Sequence, residues 1–223
     1  MVADTKVFDL SHVVEDGMTT YPGLPGPAIA DHLSRDDSRG RYAPGTEFQI
    51  GRITMVANTG TYLDAPFHRF DGGADLAAIP LSRLVDLDGI VIRAGRREVG
   101  VAELTRFRDR IAGRAVLVHT GWDRHWGTAR YADPDHPYLT AEATEWLAAL
   151  GPAVVGIDSV NIDDMADLSR PAHTGLLAAG IPIIEHLTGL DLLPDRDFRF
   201  HGAPIAVAGM GTFPIRAYAL VSE

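Results

Sequence analysis

The chain has 223 residues with 20 basic and 30 acidic side chains, a formal net charge of −10, so its surface as a whole offers no electrostatic basis for binding nucleic acid. Hydrophobic residues make up 46% of the sequence and charged residues 22%, which excludes chain-wide disorder. The absence of cysteine excludes disulfides and thiolate chemistry, so that any metal must be bound by His, Asp or Glu.

Size and hydropathy also limit the organisation and the location. A chain of this length predicts a single domain over residues 1–223. Charged residues interrupt the first twenty positions, and no uncharged apolar run approaches the ~18 residues that cross a bilayer. We therefore expect a cytoplasmic protein without membrane or nucleic-acid partners.

Residues 30–45 contain many charged side chains among Ser, Gly and Pro, without an apolar period. This composition predicts a mobile loop. Because a long loop in a compact domain is usually functional or disordered, residues 30–45 form either a lid over a site or a plain solvated excursion.

Short β-branched apolar runs predict strands covered on both faces. These runs lie at residues 89–92, 115–118, 153–157, 181–184, 204–208 and 216–221. A helix is predicted over 141–150, with Thr140 as its N-cap and Gly151 just beyond its end. A second helix is predicted over 172–179. Strands that alternate with helices favour an α/β fold.

The segment 58–68 carries polar side chains at even positions, namely Asn58, Tyr62, Asp64 and His68. In an extended chain these side chains point to one face, and the segment should end or bend near Pro66. An acid and an imidazole four residues apart form either a structural hydrogen-bonded pair or a pair that shares a metal or a proton.

This segment, N-T-G-T-Y-L-D-A-P-F-H, resembles the H-x-G-T-H-x-D-x-P-x-H signature of the cyclase family, which includes bacterial kynurenine formamidase and isatin hydrolase. Further matches in the same order lie at 9–12, 20–23, 119–122, 137–139, 155–158, 172–177 and 183–187. The resemblance covers nearly the whole chain. It implies a swivelling β/β/α domain, usually built as an oligomer, so we expect a homodimer or a homotetramer.

The resemblance also implies a set of metal ligands. Asp64, His173 and Glu185 match one of the two metal sites of the family. Asn58 and Tyr62 replace the two motif histidines of the other site, and an amide or a protonated phenol is a weak ligand. We therefore expect one divalent metal, Mn, Zn or Mg, or none.

The resemblance further implies roles for the remaining site residues. His68 matches the acid–base histidine, and Tyr21 matches an aromatic ring beside the substrate, where Asn58 would join it. Tyr62 either hydrogen-bonds Asp64 or Asn58 and holds the pocket shut, or donates to a developing oxyanion.

Further polar residues lie near the predicted strand ends. His186 is excluded from the metal set because it would point away from Glu185 in an extended stretch. Asp158, Asn161 and Asp163 follow a predicted strand end, where they mark a site or cap a turn.

Together these features predict a hydrolase that opens an amide, N-formyl, cyclic amide or lactone group of a small molecule. A single divalent metal would activate the water, His68 would be the general base, and Tyr62 and Asp64 would assist. One alternative is a metal-independent cyclase, dehydratase or isomerase of a biosynthetic pathway, with His68 and Asp64 as the acid–base pair. Another is a ligand-binding relative that has lost catalysis.

Overall fold

The computed structural model describes residues 5–222. Its strands are β1 Thr5–Asp9, β2 Ala28–Leu33, β3 Ile50–Thr54, β4 Tyr62–Asp64, β5 Leu87–Arg93, β6 Glu98–Val99, β7 Ala115–His119, β8 Tyr138–Leu139, β9 Val154–Ile157, β10 Ile183–Glu185, β11 Phe198–His201, β12 Thr212–Pro214 and β13 Tyr218–Ser222. Its α-helices are α1 Arg35–Ser38, α2 Val101–Leu104, α3 Ala141–Leu150 and α4 Pro171–Ala178. Its 3-10 turns are Pro66–His68, Leu81–Arg83, Thr105–Arg110, Trp122–His125, Ala129–Ala132 and Leu190–Leu192.

A nine-stranded mixed sheet in the order β1-β13-β11-β5-β7-β9-β10-β4-β12 forms the centre of the molecule. The four middle strands β5, β7, β9 and β10 are parallel. The strands on both sides of them pair antiparallel. The predicted runs 89–92, 115–118, 153–157 and 181–184 all fall on or overlap the parallel strands, which confirms the α/β class.

Both faces of the parallel strands are buried, as the sequence predicted. Along β5 and β7, Val91 and Leu117 face one apolar cluster, whereas Ile90 and Val116 face the other. α3 and α4 cover the second cluster, and Leu147 packs there. Burial on both faces explains why these strands are nearly continuous apolar runs.

The predicted ends of the longer helix, α3, are confirmed. The Thr140 hydroxyl accepts a hydrogen bond from the amide of Ala143 at the start of α3, and Gly151 ends the helix with φ +66°. α4 begins at Pro171, one residue before the predicted helix.

Two expectations are wrong, namely the strand predicted at 204–208 and the loop predicted over 30–45. Residues 204–208 form no strand, since β11 ends at His201, Pro204 has no amide N–H, and Ile205 is 61% exposed. Residues 30–45 are not a featureless loop, because β2 reaches Leu33 and pairs antiparallel with β3, and α1 follows.

The ribbon of β2 and β3 pairs with no other strand within residues 5–222. No helix in this described part of the chain is long and apolar enough to span a membrane.

Candidate active site

Strand β4 sets the centre of the site. It lies between β10 and β12, in a register that places Tyr62 opposite Glu185 and Asp64 opposite Thr212. Directly opposed residues of an antiparallel pair share one face. This pairing therefore brings together side chains that are more than 120 residues apart in sequence.

His68 reaches the same place by a turn. β4 ends at Asp64, and Pro66 begins a 3-10 turn that ends at His68. The predicted bend near Pro66 is confirmed, whereas an extended chain as far as His68 is not observed. Gly211 packs against this turn so closely that an added Cβ would lie 2.3 Å from the amide nitrogen of His68.

Asp64 is fully buried, and only one of its two carboxylate oxygens has a hydrogen-bond partner among residues 5–222. Its Oδ1 accepts a hydrogen bond from the Thr212 hydroxyl at 2.5 Å. Its Oδ2 has no hydrogen-bond partner among residues 5–222 and lies 3.7 Å from Nε2 of His173. Burial opposes ionisation of Asp64, but the neighbouring imidazoles of His173 and His68 lower its pKa, so the group is a carboxylate at neutral pH.

Asp163 orients His173. Its Oδ2 lies 2.6 Å from Nδ1 of His173, and the same carboxylate accepts the backbone amides of Ala172 and His173. A carboxylate at Nδ1 fixes a proton there, so Nε2 points toward Asp64 and Glu185. Burial opposes protonation of His173, but the charge of Glu185 and the bond to Asp163 raise its pKa well above the ordinary value.

The contacts of Thr212 assign the tautomer of His68. The Thr212 hydroxyl lies between Asp64 Oδ1 and Nδ1 of His68, at 2.5 and 2.8 Å. The hydroxyl has one proton, and the ionised carboxylate can only accept it. Nδ1 of His68 must therefore donate to Thr212, and in the neutral ring the lone pair is on Nε2.

Tyr62 is engaged by Glu185. Its hydroxyl donates to Glu185 Oε2 at 2.7 Å, and Glu185 Oε1 accepts the amide of Ile162 at 2.7 Å. Burial, together with the charges of Glu185 and Asp64, raises the pKa of Tyr62 well above 10, so Tyr62 is a neutral phenol. Burial also raises the pKa of Glu185 to about 7.

These contacts correct the expectations for Tyr62. Its single proton is used by Glu185, so it is not free to donate to an oxyanion in this arrangement. Glu185, and not Asp64, accepts this proton. A side-chain hydrogen bond from Asn58 acts to lower the pKa of Tyr62, which agrees with the predicted pairing of these two residues.

His186 turns back toward the site, contrary to expectation. Its backbone is left-handed, with φ +58°, so the chain is not extended there. Its Nε2 lies 3.3 Å from the Tyr62 hydroxyl, and its Nδ1 lies 2.8 Å from the hydroxyl of Tyr131. Burial lowers the pKa of His186 to about 3, so the ring is neutral and holds Tyr62 in place.

The three polar residues after β9 differ in role. Asp163 orients His173, and Asn161 lines the site cavity. Asp158 accepts the backbone amides of Thr120 and Gly121, so it caps the turn after β7. For all three residues, the sequence left open whether they mark a site or cap a turn.

A cavity of about 330 Å³ opens over these groups. It is lined by Tyr21, Pro22, Gly23, Leu24, Asn58, Tyr62, His68, Asn161, His173 and Glu185. Tyr21 and Asn58, predicted to contact substrate, both lie in its wall. No residue of the segment 30–45 lines it, so the predicted lid does not border the cavity in this structure.

The site contains a group of potential metal ligands. Asp64, His68 and His173 each present an atom within 4.8 Å of the others. The unpartnered Oδ2 of Asp64 and the oriented Nε2 of His173 fit a divalent cation. Of the predicted set, Glu185 is not in this group, although its Oε1 lies 3.8 Å from His173 Nε2. Both of its oxygens accept hydrogen bonds.

Comparisons with known proteins agree with this architecture. The family model described as "Putative cyclase" matches residues 8–164. Kynurenine formamidase of Bacillus cytotoxicus is 27% identical over 209 residues, which cover 94% of each chain.

Solved structures show the same fold. Isatin hydrolase A from Ralstonia solanacearum has a TM-score of 0.81 and 25% identity, covering 98% of this chain and 92% of that one. A structure described as a potential metal-dependent hydrolase with cyclase activity has a TM-score of 0.80 and 25% identity, covering 99% of this chain and 100% of that one. The swivelling β/β/α fold implied by the motif is thus confirmed, and the chain belongs to the cyclase family.

Proposed function

We propose that the chain is a hydrolase that opens an amide, N-formyl, cyclic amide or lactone bond of a small molecule, with His68 as the general base. The proposal rests above all on the tautomer of His68. A general base must present a lone pair to the proton that it removes. Thr212 holds the proton of the neutral ring on Nδ1, which leaves Nε2 as the basic atom, and His68 lines the cavity.

The other side chains support this base. When His68 Nε2 takes a proton from water, the ring becomes an imidazolium. The ionised Asp64, with Oδ1 3.7 Å from His68 Nδ1, stabilises that positive charge directly and through Thr212. The deprotonated water oxygen bonds to the carbonyl carbon, and the proton on Nε2 is then delivered to the leaving nitrogen or oxygen as its bond to that carbon breaks.

Asp64 and His173 are the residues that would hold a divalent metal. A bound ion supplies Lewis-acid polarisation of the scissile carbonyl and stabilises negative charge on its oxygen. Asp163 holds a proton on Nδ1 of His173, so Nε2 is the nitrogen that would bind the metal after losing its own proton. His68 remains the base rather than a third ligand, because its Nδ1, the nitrogen 3.7 Å from Asp64, is used by Thr212.

The substrate class follows from the cavity and from the relatives. The cavity volume of about 330 Å³ is at the small end of ligand sites. Tyr21 and Leu24 provide apolar wall, while Asn58 and Asn161 provide hydrogen-bonding groups. The relatives are named for kynurenine formamidase and isatin hydrolase activity, which makes aryl formamides and cyclic amides the first substrates to test.

Hydrolysis of N-formylkynurenine and isatin, with and without added Mn²⁺ or Zn²⁺, tests the proposal. His68→Gln should lower kcat by roughly 10²- to 10⁴-fold, the usual contribution of a positioned base. His32→Gln, in an exposed part of β2, is the matched control and should behave as wild type. Equal activity of His68→Gln and wild type on every hydrolysed compound would refute the assignment of the base.

Labelled water distinguishes hydrolysis from the metal-independent alternative. Transfer of ¹⁸O from water into the product supports hydrolysis. Proton exchange at a substrate carbon without ¹⁸O incorporation, unaffected by metal or chelator, would instead favour a cyclase, dehydratase or isomerase that uses His68 and Asp64.

A further inference from the structure

A second, smaller cavity opens beside the site cavity. It has a volume of about 180 Å³ and is lined by His68, Arg69, Asn161, Arg170 and His173. We call it the arginine annex. His68, Asn161 and His173 also line the larger cavity, so a ligand held near the two histidines borders both spaces.

The arginine annex is lined by two arginine residues and by no acidic residue. Arg69 Nε donates to the Thr174 hydroxyl at a long 3.4 Å, and Arg170 Nη1 donates to the backbone oxygen of Asp164 at 3.3 Å. A guanidinium has five N–H donors, so most donors of both side chains have no protein acceptor within residues 5–222. Neither arginine forms an ion pair in that part of the chain.

Both arginines are fixed close to the reactive histidines by the backbone. Arg69 directly follows His68 at the end of the 3-10 turn. Arg170 directly precedes α4, three residues before His173, and it has a left-handed backbone with φ +50°. Such a conformation is unfavourable for a residue with a Cβ.

The charge of the annex contrasts with the rest of the protein. The chain has a net charge of −10, and Glu185 lines the larger cavity while Asp64 is buried beneath it. A neutral substrate carries no anionic group that could pair with two cations beside the reacting bond. A carboxylate would accept paired hydrogen bonds from a guanidinium, which matches its planar geometry.

We propose that the arginine annex binds a carboxylate group of the substrate, so that the enzyme selects anionic amides or esters over neutral ones. The identification of the ligand as substrate rests on the proposed function, whereas binding of a carboxylate does not. Arg69 and Arg170 are then residues of substrate specificity, and the reacting bond lies between the carboxylate and the His68 base.

The test uses 2-, 3- and 4-formamidobenzoate together with their methyl esters, which are neutral and otherwise matched. The variants are Arg69→Ala, Arg170→Ala and Arg69→Lys. Arg108→Ala is the control, because Arg108 is exposed and far in sequence from the site. For the best acid substrate, each Ala variant should lose at least about tenfold in kcat/KM, mainly through KM, while the esters change less than about twofold. Arg69→Lys should recover part of the loss.

Binding of benzoate, measured by calorimetry against benzamide, separates this inference from the proposed function. If wild type hydrolyses no tested amide, formamide, cyclic amide or lactone, the proposed function fails, and weaker benzoate binding in both Ala variants still supports the annex. If acids and esters lose activity equally in the Ala variants, or if benzoate binds to them as to wild type, the annex does not recognise carboxylates and the inference is overturned. Melting temperatures of the two Ala variants within a few degrees of wild type confirm that a loss is not due to unfolding.

Discussion

Replacement of Asp163 by Asn tests how His173 is held. The Asp163 carboxylate accepts three N–H groups, from the amides of Ala172 and His173 and from Nδ1 of His173. An amide has only one oxygen, so its NH₂ group must face at least one of these donors. If NH₂ faces His173, the neutral ring must carry its proton on Nε2 and cannot bind a metal through that nitrogen. If the amide oxygen faces His173, Nδ1 keeps a neutral, weaker acceptor.

The size of the effect follows from these contacts. Loss of a partner that orients a metal-binding histidine typically lowers metal affinity by about 10- to 100-fold, or about 1.4 to 2.8 kcal/mol. One buried backbone amide is also left facing a donor, which costs about 1–3 kcal/mol of folding stability. We therefore expect Asp163→Asn to fold, with a lower melting temperature and weaker binding of divalent metal.

Calorimetric titration with Mn²⁺ and Zn²⁺, together with urea unfolding, measures both effects. NMR of the His173 ring adds a metal-free measurement, because loss of the Asp163 charge should lower the pKa of His173. Asp167→Asn is the matched control, since Asp167 is exposed and hydrogen-bonds the neighbouring Ser169. A folded Asp163→Asn protein with unchanged metal affinity and unchanged His173 titration would refute the orienting role.

Three further substitutions test separate contacts. Thr212→Val removes the acceptor of His68 Nδ1–H and should lower kcat by about 10- to 100-fold, a part of the contribution of a positioned base. Tyr62→Phe leaves Glu185 Oε2 without its donor and should lower the free energy of unfolding by about 1–3 kcal/mol without weakening metal binding. Burial lowers the pKa of His12 from 6.5 to about 4. The unfolded chain therefore binds a proton at His12 at a higher pH than the folded chain does. As a result, the stability that His12 contributes above pH 6.5 is lost as the pH falls toward 4, by up to about 1.4 kcal/mol per pH unit. His12→Gln should lose this contribution to the pH dependence of stability.

Each of these predictions has its own control. Thr212→Ser keeps the hydroxyl and should retain most activity, so equal losses in the Val and Ser variants would contradict the tautomer assignment. If Tyr62→Phe has the same free energy of unfolding in urea as wild type, the hydrogen bond between Tyr62 and Glu185 contributes nothing to stability. Between pH 4 and 6.5, the free energy of unfolding of His32→Gln should depend on pH as it does in wild type. The same pH dependence in His12→Gln would exclude a buried neutral His12.

Local patterns predicted the framework well. The parallel strands are buried on both faces, and this environment selects β-branched apolar runs that are visible without coordinates. The caps at Thr140 and Gly151 follow from backbone chemistry within a few residues. The strand predicted at 204–208 is wrong, because apolar composition alone does not show whether a side chain is buried. Composition also takes no account of a proline, which has no N–H to donate to a neighbouring strand.

The sequence by itself determined the α/β class and the residues Asp64, His68, His173 and Glu185 as a candidate cluster, because strand parity and the family motif are local properties. Only the tertiary structure decided which side chain bonds to which. Thr212 meets Asp64 across 148 positions, and Tyr62 meets Glu185 across 123. Such pairs depend on the register between strands distant in sequence, and a shift of one residue would move every side chain to the other face. Hydrogen-bond directions, and with them the basic nitrogen of His68, follow from that register.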